Sequence, residues 1–427
     1  MGTQLKENYN QFDVLLKKIK TSRICHVLLM LFLISCMVSC SKDDPAPAKI
    51  EIQQKEDPKE DPKKEEEETP EPTTQSDIDI VDNAVSNFMS KYSVPGAAIA
   101  VSVNEKMVYT KGFGLSNVEN NTPMKADDVF RIASISKTFT AVAIMKLIDD
   151  GSLSLTDKVF GPNGVLGGDF GSATLTEDEL EITIDHLLKN ESGGWGSTTG
   201  DPIDMQPQLD NDEFIEYVLN NHELTNAPGE MYDYSNTGYW LLARIVEKIS
   251  EQTFENYLIN LLSASGITTV KTTSFRTDDR KPNEVEYYGT VQDSQYIYTI
   301  ASRRDGDGGV VISAPDLLRF LTAIDGFSSR QDIISQEARD LMMVASAYQP
   351  LWGRGIGIWE QQNLLYISGS LPGTRTWSMI GDNGISAVIL FNHRGDDMQA
   401  FSLDFQSMLL NIVKDNSIPW QTNLDQF

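Results

Sequence analysis

The sequence predicts a mixed α/β domain of the α+β kind over residues 76–427, and three observations carry that reading. Helical periodicity marks both ends of the segment, at Ile78–Tyr92 and around Met398–Val413. Short apolar runs near Ala97, Lys106, Val310, Ile356, Leu364, Thr376 and Ala387 are bounded by turn residues, as strands are. The three cysteines, Cys25, Cys36 and Cys40, all precede this segment, so it holds no disulfide and rests on its core alone. At roughly 350 residues a chain buries enough surface for that.

Ahead of the domain, Lys17, Lys18, Lys20 and Arg23 precede the apolar run Val27–Ile34 and the small residues before Cys40. A basic stretch, a short apolar run and a small-residue site make a secretory signal, the apolar run being shorter than a spanning helix needs. Met37-Val-Ser-Cys40 resembles a bacterial lipobox, with Met37 where Leu is commoner. Residues 1–40 are therefore expected to be a lipoprotein-type signal. Cleavage before Cys40 and its lipidation would leave an exported protein anchored in the cell envelope, at the outer membrane or cell surface. Lys42-Asp-Asp44 resembles the export signal of some surface lipoproteins. Residues 41–75 hold twelve acidic residues, six basic residues and six prolines, and almost nothing apolar. Such a segment cannot bury a core and reads as a disordered tether. Of the formal net charge of −27, residues 1–40 contribute +3 and residues 41–75 contribute −6, leaving −24 on the domain. So acidic a surface argues against nucleic acid and against an anionic membrane face as partners.

Within the domain, the helix Ile78–Tyr92 and strands from Ala97 and Lys106 come first. Then Ser134-Ile-Ser-Lys137 places a hydroxyl three residues before a lysine, at the start of an apolar helix ended by Gly151. Positions i and i+3 share a helical face, so the amine can sit beside the hydroxyl. A serine hydroxyl is a poor nucleophile until a neighbouring base or cation activates it. The helix N-terminus favours developing negative charge, although a serine there commonly serves only as an N-cap. The spacing alone is unspecific, because Ser39-Cys-Ser-Lys42 also satisfies it.

A second motif, Tyr234-Ser-Asn236, lies on the turn entering an amphipathic helix Trp240–Ile249. Alone among fourteen tyrosines, Tyr234 has Asn two residues on. An ammonium close to a phenol favours the phenolate, which can accept a serine proton. The bland reading has Tyr232 and Tyr234 packing a turn and Asn236 capping the helix.

Together, S-x-x-K and Y-[AS]-N resemble the serine β-lactamase and penicillin-binding-protein superfamily. The similar branch holds class C β-lactamases, D-alanyl-D-alanine carboxypeptidases, D-aminopeptidases and related esterases. Further similarity lies in Val94–Val101, in Ile182–Leu188 followed by Ser192-Gly-Gly194, and in Gly308–Phe320. The resemblance runs over roughly residues 78–412. It implies an antiparallel sheet flanked by helices plus a helical subdomain, with the active site at their junction. It also implies an acyl-enzyme on Ser134, a Lys137/Tyr234 base pair and an orienting Asn236, with no cofactor and no metal. The implied substrates are β-lactams, D-amino-acid peptides of peptidoglycan type, or small esters.

The family's third motif, K-T-G or H-x-G, falls on Leu365-Tyr-Ile-Ser-Gly-Ser-Leu-Pro-Gly373, where Ile367 takes the Lys or His position. Ser368 and Gly369 complete the motif, and the Ser370 backbone N–H is the implied second oxyanion donor beside that of Ser134. A backbone donor survives side-chain replacement, and such a donor contributes about 2.7–4 kcal/mol to catalysis. What is lost is a cation near a substrate carboxylate, so neutral esters or amides are expected to be preferred. Arg375 reads as a solvated loop residue that could supply the charge from another direction.

Competing chemistries fit less well. The chain has no G-x-S-x-G elbow, and His186, His222 and His393 lie in no triad motif. His393-Arg-Gly395 fits H-x-G formally but follows what reads as the next strand, Ala387–Asn392. A metal site lacks ligand spacing, and Asp305-Gly-Asp-Gly-Gly309 reads as a turn into a strand rather than a calcium loop. The alternative from another class is a non-catalytic surface lipoprotein that keeps the fold as a binding module. Joint retention of Ser134, Lys137, Tyr234 and Asn236 argues against it, since a dead site is free to lose any of the four.

Overall fold

The computed structural model describes residues 78–272, 280–281, 283–289, 302–395, 397–423 and 425–427. The chain divides into Met1–Pro70 and Glu71–Phe427, and every described residue belongs to the second unit. The expected signal with Cys40 and the expected tether at 41–75 lie outside the described residues.

Helix α1 (Asp79–Tyr92) leads into β1 (Gly96–Val103), β2 (Lys106–Asn117), β3 (Thr122–Pro123) and β4 (Val129–Arg131). A 3-10 turn at Ala133–Ile135 feeds α2 (Ser136–Asp149). The middle is helical, with α3 (Glu177–Glu181), α4 (Ile184–Leu188), α5 (Asn211–Asn221), α6 (Asn236–Ser250) and α7 (Phe254–Ser263). Then come β5 (Lys271–Thr272), β6 (Val310–Ser313), α8 (Ala314–Thr322) and α9 (Gln336–Met342). Strands β7 (Gly357–Trp359), β8 (Leu364–Leu371), β9 (Thr374–Gly381) and β10 (Ile385–Phe391) precede the closing helix α10 (Met398–Lys414).

Among the described residues the main sheet has seven strands in the order β3-β2-β1-β10-β9-β8-β7, with every pairing antiparallel. A small sheet, β4-β6-β5, carries the segment just before the 3-10 turn. Both faces of the main sheet are covered, which explains why β1 and β10 read as unbroken apolar runs. Strand alternation sends Ala98, Ala100, Val388 and Leu390 to the helical side with α2 and α6. It sends Ala97, Ile99, Val101, Ala387, Ile389 and Phe391 to the side covered by α1 and α10. There Phe88 of α1 stacks on Phe391 at 5.0 Å and meets Phe401 of α10 edge-on at 4.9 Å. The two terminal helices are thus locked together through strands from opposite ends of the domain.

One corner of the fold couples stability to pH. Glu105, buried at the β1–β2 connection, accepts hydrogen bonds from the Ser329 and Arg330 amides at 2.6 and 3.0 Å. Beside it, burial pushes the Asp325 carboxyl up to about 7 and the Asp332 carboxyl up to about 6. A carboxyl raised above its unfolded value contributes stability in full at acid pH and loses it as pH rises through the folded value. The large negative net charge acts in the same sense, since self-repulsion grows with pH. The melting temperature is therefore expected to be higher at pH 5 than at pH 8, with a smaller difference in Asp325→Asn. A thermal-melt series that rises from pH 5 to pH 8 would contradict this.

Candidate active site

Ser134 is the one residue from Asp128 to Met145 that is not buried. It sits on the 3-10 turn rather than capping α2, whose N-cap is Ile135 without a side-chain cap. The turn begins at Ala133, a buried non-glycine residue with φ of +50°. Such a left-handed residue is strained and persists only where packing over-determines it. The packing comes from β8: a Cβ on Gly369 would lie 2.1 Å from the Ile132 carbonyl and 3.0 Å from Ala133 Cβ. Only glycine lets the strand approach the turn so closely.

Tyr234 Oη donates to Ser134 Oγ at 2.7 Å. Lys137, fully buried, donates from Nζ to Asn236 Oδ1 at 2.7 Å and to the Asp307 carbonyl at 2.8 Å. The same ammonium lies 4.7 Å from the Tyr234 ring centroid and 5.5 Å from that of Tyr239. The structure therefore brings Ser134, Lys137, Tyr234 and Asn236 into one contact set. Helix α6 starts at Asn236, four residues before the expected Trp240, and Asn236 does not cap it. Ser235 is the N-cap, its hydroxyl accepting from the Gly238 amide at 2.8 Å. Asp201 adds a second cap, accepting from the Asn236 amide at 2.7 Å and the Thr237 hydroxyl at 2.6 Å. The Asn236 side chain is thereby left for Lys137. Trp352 closes the other side of Tyr234, with ring centroids 6.1 Å apart.

Strand β8 borders this group. Its hairpin with β9 closes on the Leu371–Thr374 pair, with Gly373 at φ +77°. Ladder alternation from that pair turns the Ser370 N–H away from β9. Strand β7 pairs only with Leu364–Tyr366, so on that side Ile367–Leu371 runs past the end of β7. Ile367 shares the face of Gly369, the face laid against the nucleophile-bearing turn, and is buried in the helical-side core. Ser368 and Ser370 point their side chains to the opposite face, Ser368 opposite Trp377 and Ser370 opposite Arg375. Arg375 is not a loop residue: it is buried in β9, donating to the Gly369 carbonyl at 3.0 Å and to Ser402 of α10 at 3.1 Å. It is committed to the α10 side and does not replace the missing cation.

The histidines fall elsewhere. His186 forms a capping box with Thr183, and burial holds its ring below the usual imidazole range. His222 is the C-cap of α5, its carbonyl accepting from Trp195 Nε1 at 2.7 Å. His393 follows β10, its Nδ1 lying 3.0 Å from the Tyr288 carbonyl. Among the described residues, no three His, Cys, Asp or Glu side chains are grouped to hold a metal ion. Two site-supporting residues, Asp201 and Asp307, lie outside the sequence motifs of the site. Asp201 lies in no motif, and Asp307 stands within what reads only as a glycine-rich turn.

Residues 81–408 match the beta-lactamase family model, and the chain belongs to that family. It is 30% identical over 181 residues to Protein flp of Staphylococcus aureus (strain NCTC 8325 / PS 47), covering 42% of this chain and 35% of that one. It is 27% identical over 290 residues to Penicillin-binding protein 4* of Bacillus subtilis (strain 168), covering 61% and 57%. The chain thus spans between about a third and three fifths of the length of these curated relatives. The octameric penicillin-binding protein homologue from Pyrococcus abyssi superposes with a TM-score of 0.61 at 26% identity, covering 79% and 78%.

Proposed function

We propose that the protein is an acyl-transferring serine hydrolase in which Ser134 is the nucleophile and Tyr234 with Lys137 forms its base. The observation that carries this reading is the 2.7 Å contact between Tyr234 Oη and Ser134 Oγ, beside an ammonium fixed by Asn236. In the anionic form Tyr234 accepts the Ser134 proton as Oγ attacks a substrate carbonyl, and the Lys137 charge stabilises the phenolate. The Ser134 and Ser370 backbone N–H groups hold the oxyanion. The proton returns to the leaving group through Tyr234, and a water activated by the same pair releases the acid.

The substrate class follows from β8. Ile367, buried in the helical-side core, puts no cation at this position of β8, and Arg375 is committed on the other face of the sheet. Neutral esters and amides are therefore favoured over β-lactams and D-alanyl peptides that carry a carboxylate. The protein would work outside the cytoplasm, tethered through a lipidated Cys40 by its acidic spacer.

Rates on p-nitrophenyl butyrate, on a carboxylate-bearing β-lactam and on a D-alanyl-D-alanine peptide test this reading. Ile367→Lys is expected to raise kcat/KM on the two anionic substrates by roughly tenfold or more, in line with about 1.5–3 kcal/mol for a charged hydrogen bond. The neutral ester should respond little. Wild-type protein that turns over the anionic substrates as well as the ester would contradict the substrate class.

A further inference from the structure

The Asp305–Gly309 turn is clamped between the two helices that carry Lys137 and Asn236. Thr140 of α2 donates its hydroxyl to the Gly306 carbonyl at 2.6 Å. A Cβ on Gly306 would lie 2.6 Å from Ala243 Cβ and 2.7 Å from the Tyr239 carbonyl of α6. This fixed turn delivers two oxygens of Asp307 toward Lys137, the carbonyl at 2.8 Å and Oδ2 at 3.9 Å. Both side chains are fully buried.

The charges around them form a closed set. Asp307 Oδ2 also receives Arg304 Nε at 2.8 Å, and a second Arg304 nitrogen lies 2.7 Å away. Arg304 already has a second carboxylate partner in Asp204, its Nη1 donating to both carboxylate oxygens at 2.9 Å. It does not need Asp307 for neutrality. Lys137 has no such alternative: its other described contacts are Asn236 Oδ1, a carbonyl and the rings of Tyr234 and Tyr239, all neutral. The remaining charged group acting on Asp307 is Asp201, which is occupied at the start of α6. Burying a second carboxylate here is costly unless it balances a charge, and among the described residues its Oδ1 has no hydrogen-bond partner.

We propose that Asp307 is a positioning residue that holds Lys137 as an ammonium and so leaves Tyr234 to act as the base toward Ser134. The inference rests on the Ser134 mechanism proposed above. Burial pushes the Asp307 carboxyl up to about 6, against the pull of Arg304 and Lys137, so this counter-charge is in place at neutral pH and is withdrawn on acidification. An anion beside the base pair favours its more protonated states. Removing that anion therefore moves both limbs of the pH–rate profile to lower pH.

The test is the rate of Ser134 labelling by a fluorophosphonate probe on the intact protein, from about pH 5 to about pH 10. Wild type is compared with Asp307→Asn, Asp307→Ala and Asp204→Asn. Asp307→Asn keeps the shape, and Asp307→Ala leaves Arg304 its Asp204 partner if the amide is not tolerated. Both limbs are expected to fall by about one to three pH units in the Asp307 variants, the range for loss of a charge at this distance. Asp204→Asn, which alters only the far side of Arg304, should leave them in place. Asp307 variants that are slower with an unmoved profile would overturn the inference, as would an equal shift in Asp204→Asn. Absence of Ser134-dependent labelling in wild type would instead overturn the mechanism itself, and with it the role of Asp307.

Discussion

Replacing Ser134 with alanine is expected to reduce ester turnover by roughly 10³-fold or more, the scale seen when a nucleophile is deleted from a concerted catalytic group. The fold should not suffer. Ser134 caps no helix, its hydroxyl being engaged instead with Tyr234. Losing one such hydrogen bond costs about 1 kcal/mol. Melting temperature and circular dichroism should therefore match wild type while hydrolysis of p-nitrophenyl butyrate disappears. Retained turnover in the alanine protein would place the reaction on another residue.

The second large effect is on the base. Tyr234→Phe removes one hydroxyl from a half-buried ring and leaves the edge contact with Trp352. General-base assistance is worth roughly 10²- to 10⁴-fold, so kcat should fall by that factor with KM little changed. A fall confined to KM would make Tyr234 a substrate contact instead. Lys137 is a poorer probe of the same point. It is wholly buried, and its removal would leave Asp307 with Arg304 as its one remaining cation, mixing a stability loss with the catalytic one.

Local chemistry is what the sequence makes legible. Ser134 and Lys137 are three residues apart, and Tyr234 and Asn236 only two, so each half of the contact set is visible as a motif. Gly151 ends α2 at φ +72°, as its position implies. The strands near Leu364, Thr376 and Ala387 also fall where turn residues bound them. What escapes is action at long range. The contact that starts α6 early comes from Asp201, in a different loop, and no local pattern marks it. The Asp307–Lys137 approach joins positions 170 apart. Arg375 reads as a loop arginine because Pro372-Gly373 signals a turn. That turn is so tight that β9 begins at Thr374 and carries Arg375 into the sheet. The 3-10 turn at Ser134 is hidden for a related reason. Its left-handed Ala133 is held by a glycine on β8, a strand far along the chain.

The proposed acyl-enzyme is covalent: the substrate's acyl group passes to Ser134 Oγ as the bond to its leaving group breaks. Acid-quenching the protein during turnover of p-nitrophenyl butyrate and measuring its intact mass, followed by peptide mapping, reads that bond directly. The acyl-enzyme mechanism predicts one butyryl group, located on the peptide containing Ser134 and absent from Ser134→Ala. Turnover that leaves no adduct in wild type or in a slowed Tyr234→Phe protein, or an adduct on any other residue, would contradict it.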